Sequence, residues 1–314
     1  MLRHNRSLIA LAVFFSLVIA VAGGQDTVFR AETRLVVLHA SVVDRNGKLV
    51  TTLPQKAFKV YENGVEQQLK IFRREDVPVS LGLVIDNSGS MKPRREQVEA
   101  AALNLVKASN PEDQVFIVNF NDEAYLDAPF THSMEKLEEG VSRIDSRGGT
   151  AMRDAISMSI DYMKEEGKLD KKVILAVTDG DDNASSVTLE ELVRKAQQSE
   201  VLIYTIGLLN EEDRGAARRA ERALKTISEA SGGLAYFPKE LTDVNQLALD
   251  VAHEIRNQYI LGYTPSNTAM DGSYRQIRVT VDGSNRPVAR TRTGYYATAE
   301  PRARTAASQR PGTQ

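Results

Sequence analysis

The 314-residue chain contains no cysteine and no tryptophan, and only four histidines. Without cysteine it forms no disulfide, no thiolate metal site and no cysteine nucleophile, so its stability has to come from a packed core. No two histidines have the spacing that places metal ligands on one face of a helix. They are His4, His39, His132 and His253. The composition therefore argues against a zinc site.

Charge of one sign is not in excess either. The chain has 40 Lys and Arg against 42 Asp and Glu, a net charge of -2. Because binding to nucleic-acid phosphates needs a basic surface, no nucleic-acid partner is predicted. The fractions of hydrophobic (42%) and charged (26%) residues are typical of a globular protein, and the length suffices for about two domains.

One long apolar run is present, at the N-terminus. Arg3 and Arg6 precede the run from Leu8 to Ala22, and small residues end it before Gly24. This order is typical of a secretory signal peptide, and the run is shorter than the ~20 residues that span a bilayer. We predict a signal peptide over residues 1–24, a secreted or periplasmic protein and no membrane span after cleavage. The alternative is a membrane anchor through an uncleaved N-terminal helix.

β-type patterns lie at both ends of the remaining chain. The N-terminal one contains two Asn-Gly hairpin signals, at Asn46 and Asn63, and the C-terminal one contains two Asp-Gly turns. Two hairpins are too few to bury a core alone. We therefore predict that residues 28–76 and 257–297 pair into one small β-sandwich, although each half could instead add edge strands separately. Residues 298–314 are predicted to be a disordered tail.

Between the two halves, residues 77–256 alternate apolar runs with helical segments. The runs SLGLVID, QVFIVNF, KVILAVTD and EVLIYTIG are apolar almost throughout, as expected of strands buried on both faces. One helix is predicted to begin at Pro93, and another to run from Ala151 to about Glu166. The fold class is therefore α/β, a doubly wound, mainly parallel sheet with helices on both faces, inserted in the β-sandwich.

Polar side chains follow three of these segments. Asp86, Ser88 and Ser90 come at the end of the first apolar run, Asp179 ends a later one, and Thr150 lies just ahead of a helix. In an open α/β sheet, ligands bind beyond the carboxyl ends of the strands. Carboxylate and hydroxyl oxygens suit Mg²⁺, and an ion with few charged ligands would bind an incoming anionic oxygen strongly.

These motifs resemble the metal-ion-dependent adhesion site of von Willebrand factor type A domains. The family's Asp-x-Ser-x-Ser, Gly-Gly-Thr and Thr-Asp-Gly motifs match DNSGS, GGT and TDG in this chain. The resemblance implies that Asp86 and Asp179 hold the ion directly or through water. It also implies that Ser88 and Ser90 coordinate it, and that Thr150 does so in the ligand-bound arrangement. The ion expected is Mg²⁺, with Mn²⁺ or Ca²⁺ as alternatives, and a glutamate or aspartate of a protein partner would complete its shell.

The segments that flank this domain resemble those of bacterial secreted proteins with the same domain. The matching stretches are YILGYTPSN and the later GYY. The oligomeric state is not predicted.

A calcium loop is an alternative interpretation of one segment. The stretch from Asp179 to Glu190 imitates an EF-hand, but Ala184 stands where the sharp turn needs glycine, and a strand rather than a helix precedes it. We expect Asp181 and Asp182 to form a solvated acidic rim instead.

An enzyme is the other alternative. An aspartate that ends a first strand is also the nucleophile of haloacid-dehalogenase-like phosphatases, but their second acidic residue is replaced here by Ser88. The sequence has no Gly-x-Ser-x-Gly, His-Glu-x-x-His or phosphate-binding Gly-Lys motif. We therefore predict no enzyme but a cation-dependent protein-binding module for adhesion or assembly. A structural scaffold, in which the metal only stabilises loops, is the alternative.

Overall fold

The structure, a computed structural model, describes residues 35–298 except 75, 109, 144–145 and 210–212. The predicted signal peptide and the predicted tail beyond residue 298 lie outside these residues. Among the helices of the described residues, none combines the length and the apolar character needed to cross a lipid bilayer.

The helices and strands alternate along the chain as follows. The strands are β1 (Val36–Val43), β2 (Phe58–Glu62), β3 (Val65–Gln67), β4 (Leu69–Arg73), β5 (Val79–Asp86), β6 (Gln114–Phe120), β7 (Ala124–Thr131), β8 (Lys171–Thr178), β9 (Leu202–Gly207), β10 (Ala235–Tyr236), β11 (Tyr259–Tyr263), β12 (Tyr274–Val281), β13 (Val288–Arg290) and β14 (Gly294–Tyr296). The helices are α1 (Arg95–Lys107), α2 (Met134–Ser142), α3 (Met152–Glu166), α4 (Leu189–Ser199), α5 (Arg214–Ser231) and α6 (Asp243–Arg256).

A six-stranded sheet forms the centre of the molecule. Its strand order is β10-β9-β8-β5-β6-β7, and all neighbours are parallel except β6 and β7. On β5, Leu83 packs with α1, α2 and α6, whereas Val84 packs on the other face with α3, α4 and α5. Because successive side chains of a strand point to opposite faces, a continuously apolar strand serves both layers. The predicted doubly wound α/β class is confirmed.

Two details of this sheet differ from the sequence prediction. The antiparallel edge strand β7 was not predicted, because Tyr125 and Leu126 on it are exposed and its pattern is not continuously apolar. Helix α1 begins at Arg95 rather than Pro93, since the chain first makes a short 3-10 turn over Gly89–Met91. The predicted helix after Ala151 is observed as α3.

The strands of the two chain ends pair with one another. Strand β11 lies between β1 and β4, and β12 lies between β2 and β14, in two four-stranded sheets of order β13-β1-β11-β4 and β14-β12-β2-β3. One apolar cluster joins both sheets and includes Leu38, Phe58, Tyr259 and Ile277. The β-sandwich shared by the N- and C-terminal segments is thus confirmed. The two segments do not add edge strands separately, which was the alternative. The exact domain boundaries stay predictions.

The two Asn-Gly signals have different outcomes. Asn63 and the glycine after it have φ values of 48° and 84° and join β2 to β3 as a tight hairpin. At Asn46 a turn forms, but the pairing is limited to one bridge between Val43 and Leu49. Within this turn, Asp44 Oδ1 accepts hydrogen bonds from the backbone N–H groups of Asn46 (2.8 Å) and Lys48 (3.0 Å).

Candidate metal centre

The central strands β5 and β8 bring the two predicted aspartates together. Asp86 is the last residue of β5, and Asp179 directly follows β8. The two strands are parallel neighbours, with Ile85 beside Val177. The chain passes from β5 to β6 on one side and later returns to β8 on the other, so their carboxyl ends flank the crevice where ligands bind in such sheets.

Four of the five predicted residues form one chain of hydrogen bonds. Asp86 Oδ2 accepts from the Thr178 hydroxyl (2.5 Å), and Asp86 Oδ1 accepts from the backbone N–H of Ser88 (2.8 Å). The Ser88 and Ser90 hydroxyls are 3.1 Å apart, and Ser90 Oγ donates to Asp179 Oδ1 (2.8 Å). The alternate spacing of the Asp-x-Ser-x-Ser motif therefore aims its polar side chains at one place.

Thr150, the fifth residue, adjoins this cluster from a separate loop. Its side chain is buried, and Oγ1 lies 3.8 Å from the position that a Cβ would occupy on Gly180, the residue after Asp179. The loop is held to the Asp-x-Ser-x-Ser segment by the backbone bond from Gly89 N to Gly148 O (3.3 Å). The structure thus brings all five predicted residues to one edge of the sheet.

The two glycines before Thr150 are required by polar side chains that close on the loop. Gly148 has φ +76°, and a Cβ there would lie 2.1 Å from a carboxylate oxygen of Asp122. Asp122 Oδ1 accepts a hydrogen bond from Gly149 N (2.7 Å), and Asn183 Oδ1 accepts one from Thr150 N (2.9 Å). Sequence reasoning missed Asp122 and Asn183. The available signal was that both are polar residues just beyond the ends of central strands.

Asn87 is another residue that the sequence analysis passed over. It is buried and lies between Asp86 and Ser88 in the motif, and its N–H donates to Phe120 O (2.7 Å). Its backbone carbonyl accepts from Arg147 N (3.1 Å), and its side-chain oxygen accepts from Ser146 N (3.2 Å). Asn87 therefore joins the loops after β5 and β6 to the loop that carries Thr150.

The two aspartates are buried, and Arg94 pairs with Asp179. Burial raises the pKa of Asp86 to about 6, and the charge of Asp179 adds to this, although hydrogen bonds from Thr178 and Ser88 oppose it. Burial also raises the pKa of Asp179, while hydrogen bonds from Ser90 and the Arg94 guanidinium act in the other direction. Arg94 Nη1 lies 2.8 Å from Asp179 Oδ2. A cation between the two carboxylates would relieve the cost of burying them.

The donor set fits a hard divalent cation. Two carboxylates and three hydroxyls offer only oxygen ligands, which Mg²⁺ prefers. Ser90 is exposed while the other four residues are buried, so the cluster can be reached from solvent on the side of Ser90. The described residues contain no group of three or more His, Cys, Asp or Glu that could hold a metal. Water or an incoming ligand would therefore have to supply the remaining positions of a six-coordinate shell.

The prediction that Asp181 and Asp182 form a solvated rim is wrong for Asp182. Its carboxylate is 6% exposed, lies 3.0 Å from the Arg153 guanidinium and accepts from Arg153 N (2.7 Å). Asp181 pairs with Arg219 at 2.5 Å. Both carboxylates therefore pair with arginines. Because β8 rather than a helix also precedes the segment, it does not form an EF-hand.

Comparison with known proteins finds similarity in the central part of the chain. Residues 81–181 match the family model of the von Willebrand factor type A domain. Human inter-alpha-trypsin inhibitor heavy chain H4 is 25% identical over 231 residues, which cover 68% of this chain and 24% of that protein. Mouse integrin alpha-11 is 29% identical over 136 residues, covering 40% of this chain and 11% of that protein. The chain therefore spans at most about a quarter of the length of these relatives.

A solved structure shares the fold. The proximal thread matrix protein 1 from the mussel byssus, with a zinc-occupied MIDAS motif, superposes with a TM-score of 0.51 at 15% identity, covering 63% of this chain and 50% of that one. At this identity the likeness concerns the fold alone. What the comparisons share is the central part of the chain: residues 81–181 match the von Willebrand factor type A domain.

Proposed function

We propose that the protein is an exported module that binds a protein partner through a divalent cation. The observation that carries the proposal is the convergence of Asp86, Ser88, Ser90, Thr150 and Asp179 at the carboxyl ends of β5 and β8. Domains of this family typically mediate protein–protein interaction. The export in this proposal rests on the predicted signal peptide.

In this proposal the cation is Mg²⁺, with Mn²⁺ or Ca²⁺ as alternatives. Asp86 and Asp179 would supply the charge, and Ser88, Ser90 and Thr150 would supply hydroxyl oxygens. The bound cation would act as a Lewis acid for an anionic oxygen, which is why a glutamate or aspartate of the partner is the expected ligand. The exposed Ser90 marks the side from which that carboxylate would enter.

A purely structural role for the cation is less well supported. The loops of the centre are already tied to one another without it, through Asn87, Asp122 and Asn183. A metal whose task was only to stabilise loops would add little to these bonds. A catalytic role is also less well supported, because the cluster consists of carboxylates and hydroxyls with Arg94, and none of the described histidines is among its hydrogen-bond partners.

Calorimetric titration of Mg²⁺ and Mn²⁺ into wild-type protein and the Asp86→Asn variant tests the proposal. We expect one site in the wild type and at least a hundredfold weaker binding in the variant, because a neutral amide replaces a buried anionic ligand. The matched control is Asp161→Asn, which neutralises a carboxylate that is 56% exposed on α3 and should leave binding unchanged. Equal binding by all three proteins would contradict the assigned site.

The partner is then sought by affinity capture on immobilised wild-type protein. Capture that needs Mg²⁺, is released by a chelator and is lost on Asp86→Asn would support the adhesion role. Metal binding that raises the melting temperature without any chelator-sensitive capture would favour the scaffold instead.

A further inference from the structure

At the opposite edge of the central sheet from Asp86, a cavity of about 570 Å³ opens where the amino ends of β8 and β9 face the β-sandwich. Lys171 is the first residue of β8, and Leu202 is the first residue of β9. From β1, Val37 and His39 line the cavity, while their neighbours Val36 and Leu38 face the core of the sandwich. The volume is within the range of small-molecule sites in proteins.

Two half-buried side chains in this wall each have a buried polar atom without a hydrogen-bond partner among the described residues. These atoms are His39 Nδ1 and the Thr291 hydroxyl oxygen. Burial lowers the pKa of His39 to about 3, and Lys171 and Arg292 add to this, so the ring is neutral at pH 7 and keeps one donor and one acceptor nitrogen. Buried polar groups are almost always paired, so two unpaired groups in one cavity point to a ligand that is hydrogen-bonded there.

The two charged side chains that are buried in the wall are both basic. Lys171 and Arg292 are only 3% and 7% exposed, whereas the carboxylate residues Asp170 and Glu200 are exposed. Arg292 is held in place by donating to Val37 O (3.0 Å), and Lys171 by a hydrogen bond to the backbone carbonyl of Ile255. Arg292 also pairs with Glu200 at the rim (Nη1 to Oε1, 3.6 Å), and burial lowers the pKa of Lys171 to about 7. An anionic head group beside these two side chains would favour the protonated form of Lys171, so an anion is the head group that the inner wall would accept.

The remaining wall is apolar. Ile71 from β4, Ile260 from β11 and Ala230 from α5 contribute to it. A ligand that is complementary to the whole cavity therefore has an acidic head and an apolar body. We propose that this cavity binds an organic carboxylate with an apolar chain, whose head accepts hydrogen bonds from Thr291 and His39 beside Lys171 and Arg292. The site is separate from the candidate metal centre and does not depend on it.

The test is calorimetric titration of decanoate into the full-length protein in the presence of a chelator. We expect one site for decanoate and at least tenfold weaker binding of decanol, which has the same chain length without the charge. Thr291→Val removes one hydroxyl at nearly constant volume and should weaken decanoate binding about tenfold. Thr280→Val makes the same exchange on β12, away from the cavity, and should have no effect.

A second variant addresses the apolar part of the cavity. Ala230→Leu adds three carbon atoms to the wall and should abolish decanoate binding. Because Ala230 is only 6% exposed, urea unfolding of the variant checks that it remains folded. The proposal is overturned if decanoate does not bind, if decanol binds as well, or if Thr291→Val and Thr280→Val behave alike. Because a chelator is present throughout, the result is independent of whether the metal centre binds a cation.

Discussion

Arg94 supplies to Asp179 the positive charge that a bound cation would also supply. Its guanidinium is 2.8 Å from Asp179 Oδ2, and its Nη1 also lies 3.3 Å from the backbone carbonyl of Ser90. Both groups belong to the candidate metal centre or flank it. A divalent cation and Arg94 therefore compete for the same carboxylate.

Removing this competitor should strengthen cation binding. We expect Arg94→Gln to lower the dissociation constant for Mg²⁺ or Mn²⁺ about fivefold, which corresponds to ~1 kcal/mol for a partly exposed ion pair. Calorimetric titration measures the change. The matched control is Arg95→Gln, since Arg95 pairs with Glu99 on α1 (2.6 Å). A weaker affinity in Arg94→Gln would mean that Arg94 assists the cation instead.

Single residues also show what the sequence alone could predict about the centre. Asp86, Ser88 and Ser90 were found because they follow one another at alternate positions of a recognisable motif. Arg94 and Asp122 were not, because their partners are distant in sequence: Arg94 bonds a residue 85 positions away, and Asp122 one 27 positions away. No local pattern reports such a contact.

At the scale of elements, the loop before α3 is shaped by its surroundings as much as by its own residues. Gly148 needs the left-handed conformation and also lies against the Asp122 carboxylate. Gly272, in a turn of the sandwich, has a similar φ of +73°, but a Cβ on it would meet nothing within 4 Å. Comparing substitutions at the two glycines therefore separates the stability cost of a left-handed backbone from the stability cost of crowding by Asp122.

We expect Gly272→Ala to lower the free energy of unfolding by about 1 kcal/mol, the usual cost of a strained φ. Gly148→Ala should cost about 3 kcal/mol, because the added Cβ displaces Asp122 as well. Only Gly148→Ala should weaken cation binding, since the loop positions Thr150. Urea unfolding and calorimetric titration of both variants measure these effects. Equal losses of stability in the two variants would show that the Asp122 side chain moves aside without a cost in free energy.

At the scale of the whole molecule, His39 lies where the β-sandwich meets the central sheet. It shares its cavity with Lys171 and Arg292, the two cations that lower its pKa in addition to burial. The rim of the same cavity also carries Arg73, Asp170 and Glu200. The folded protein binds a proton at His39 only near pH 3, whereas the unfolded chain binds it near the ordinary pKa of 6.5.

Between these values the unfolded state binds more protons, so the contribution of His39 to stability is complete above pH 6.5 and is lost as the pH falls towards 3. At pH 5 the loss amounts to about 2 kcal/mol relative to pH 8. As the pH is lowered, we therefore expect the free energy of unfolding of His39→Gln to fall less steeply than that of the wild type. Urea unfolding across this pH range measures the difference. His253→Gln, at an exposed position on α6, is the control and should follow the wild-type curve. Parallel curves for wild type and His39→Gln would mean that the buried ring is protonated in the folded protein.

The sequence by itself determined the local features: the continuously apolar strands of the central sheet, the helix after Thr150, and the three motifs that end in Asp86, Thr150 and Asp179. These are set by periodicity and by the residue types at strand ends, which need no knowledge of the rest of the chain. Only the tertiary structure decided the pairing of Asp182 with Arg153, the competition at Arg94 and the cavity beside His39. Each of these depends on side chains brought together from separate elements, and neighbours of that kind are chosen by packing rather than by any local pattern.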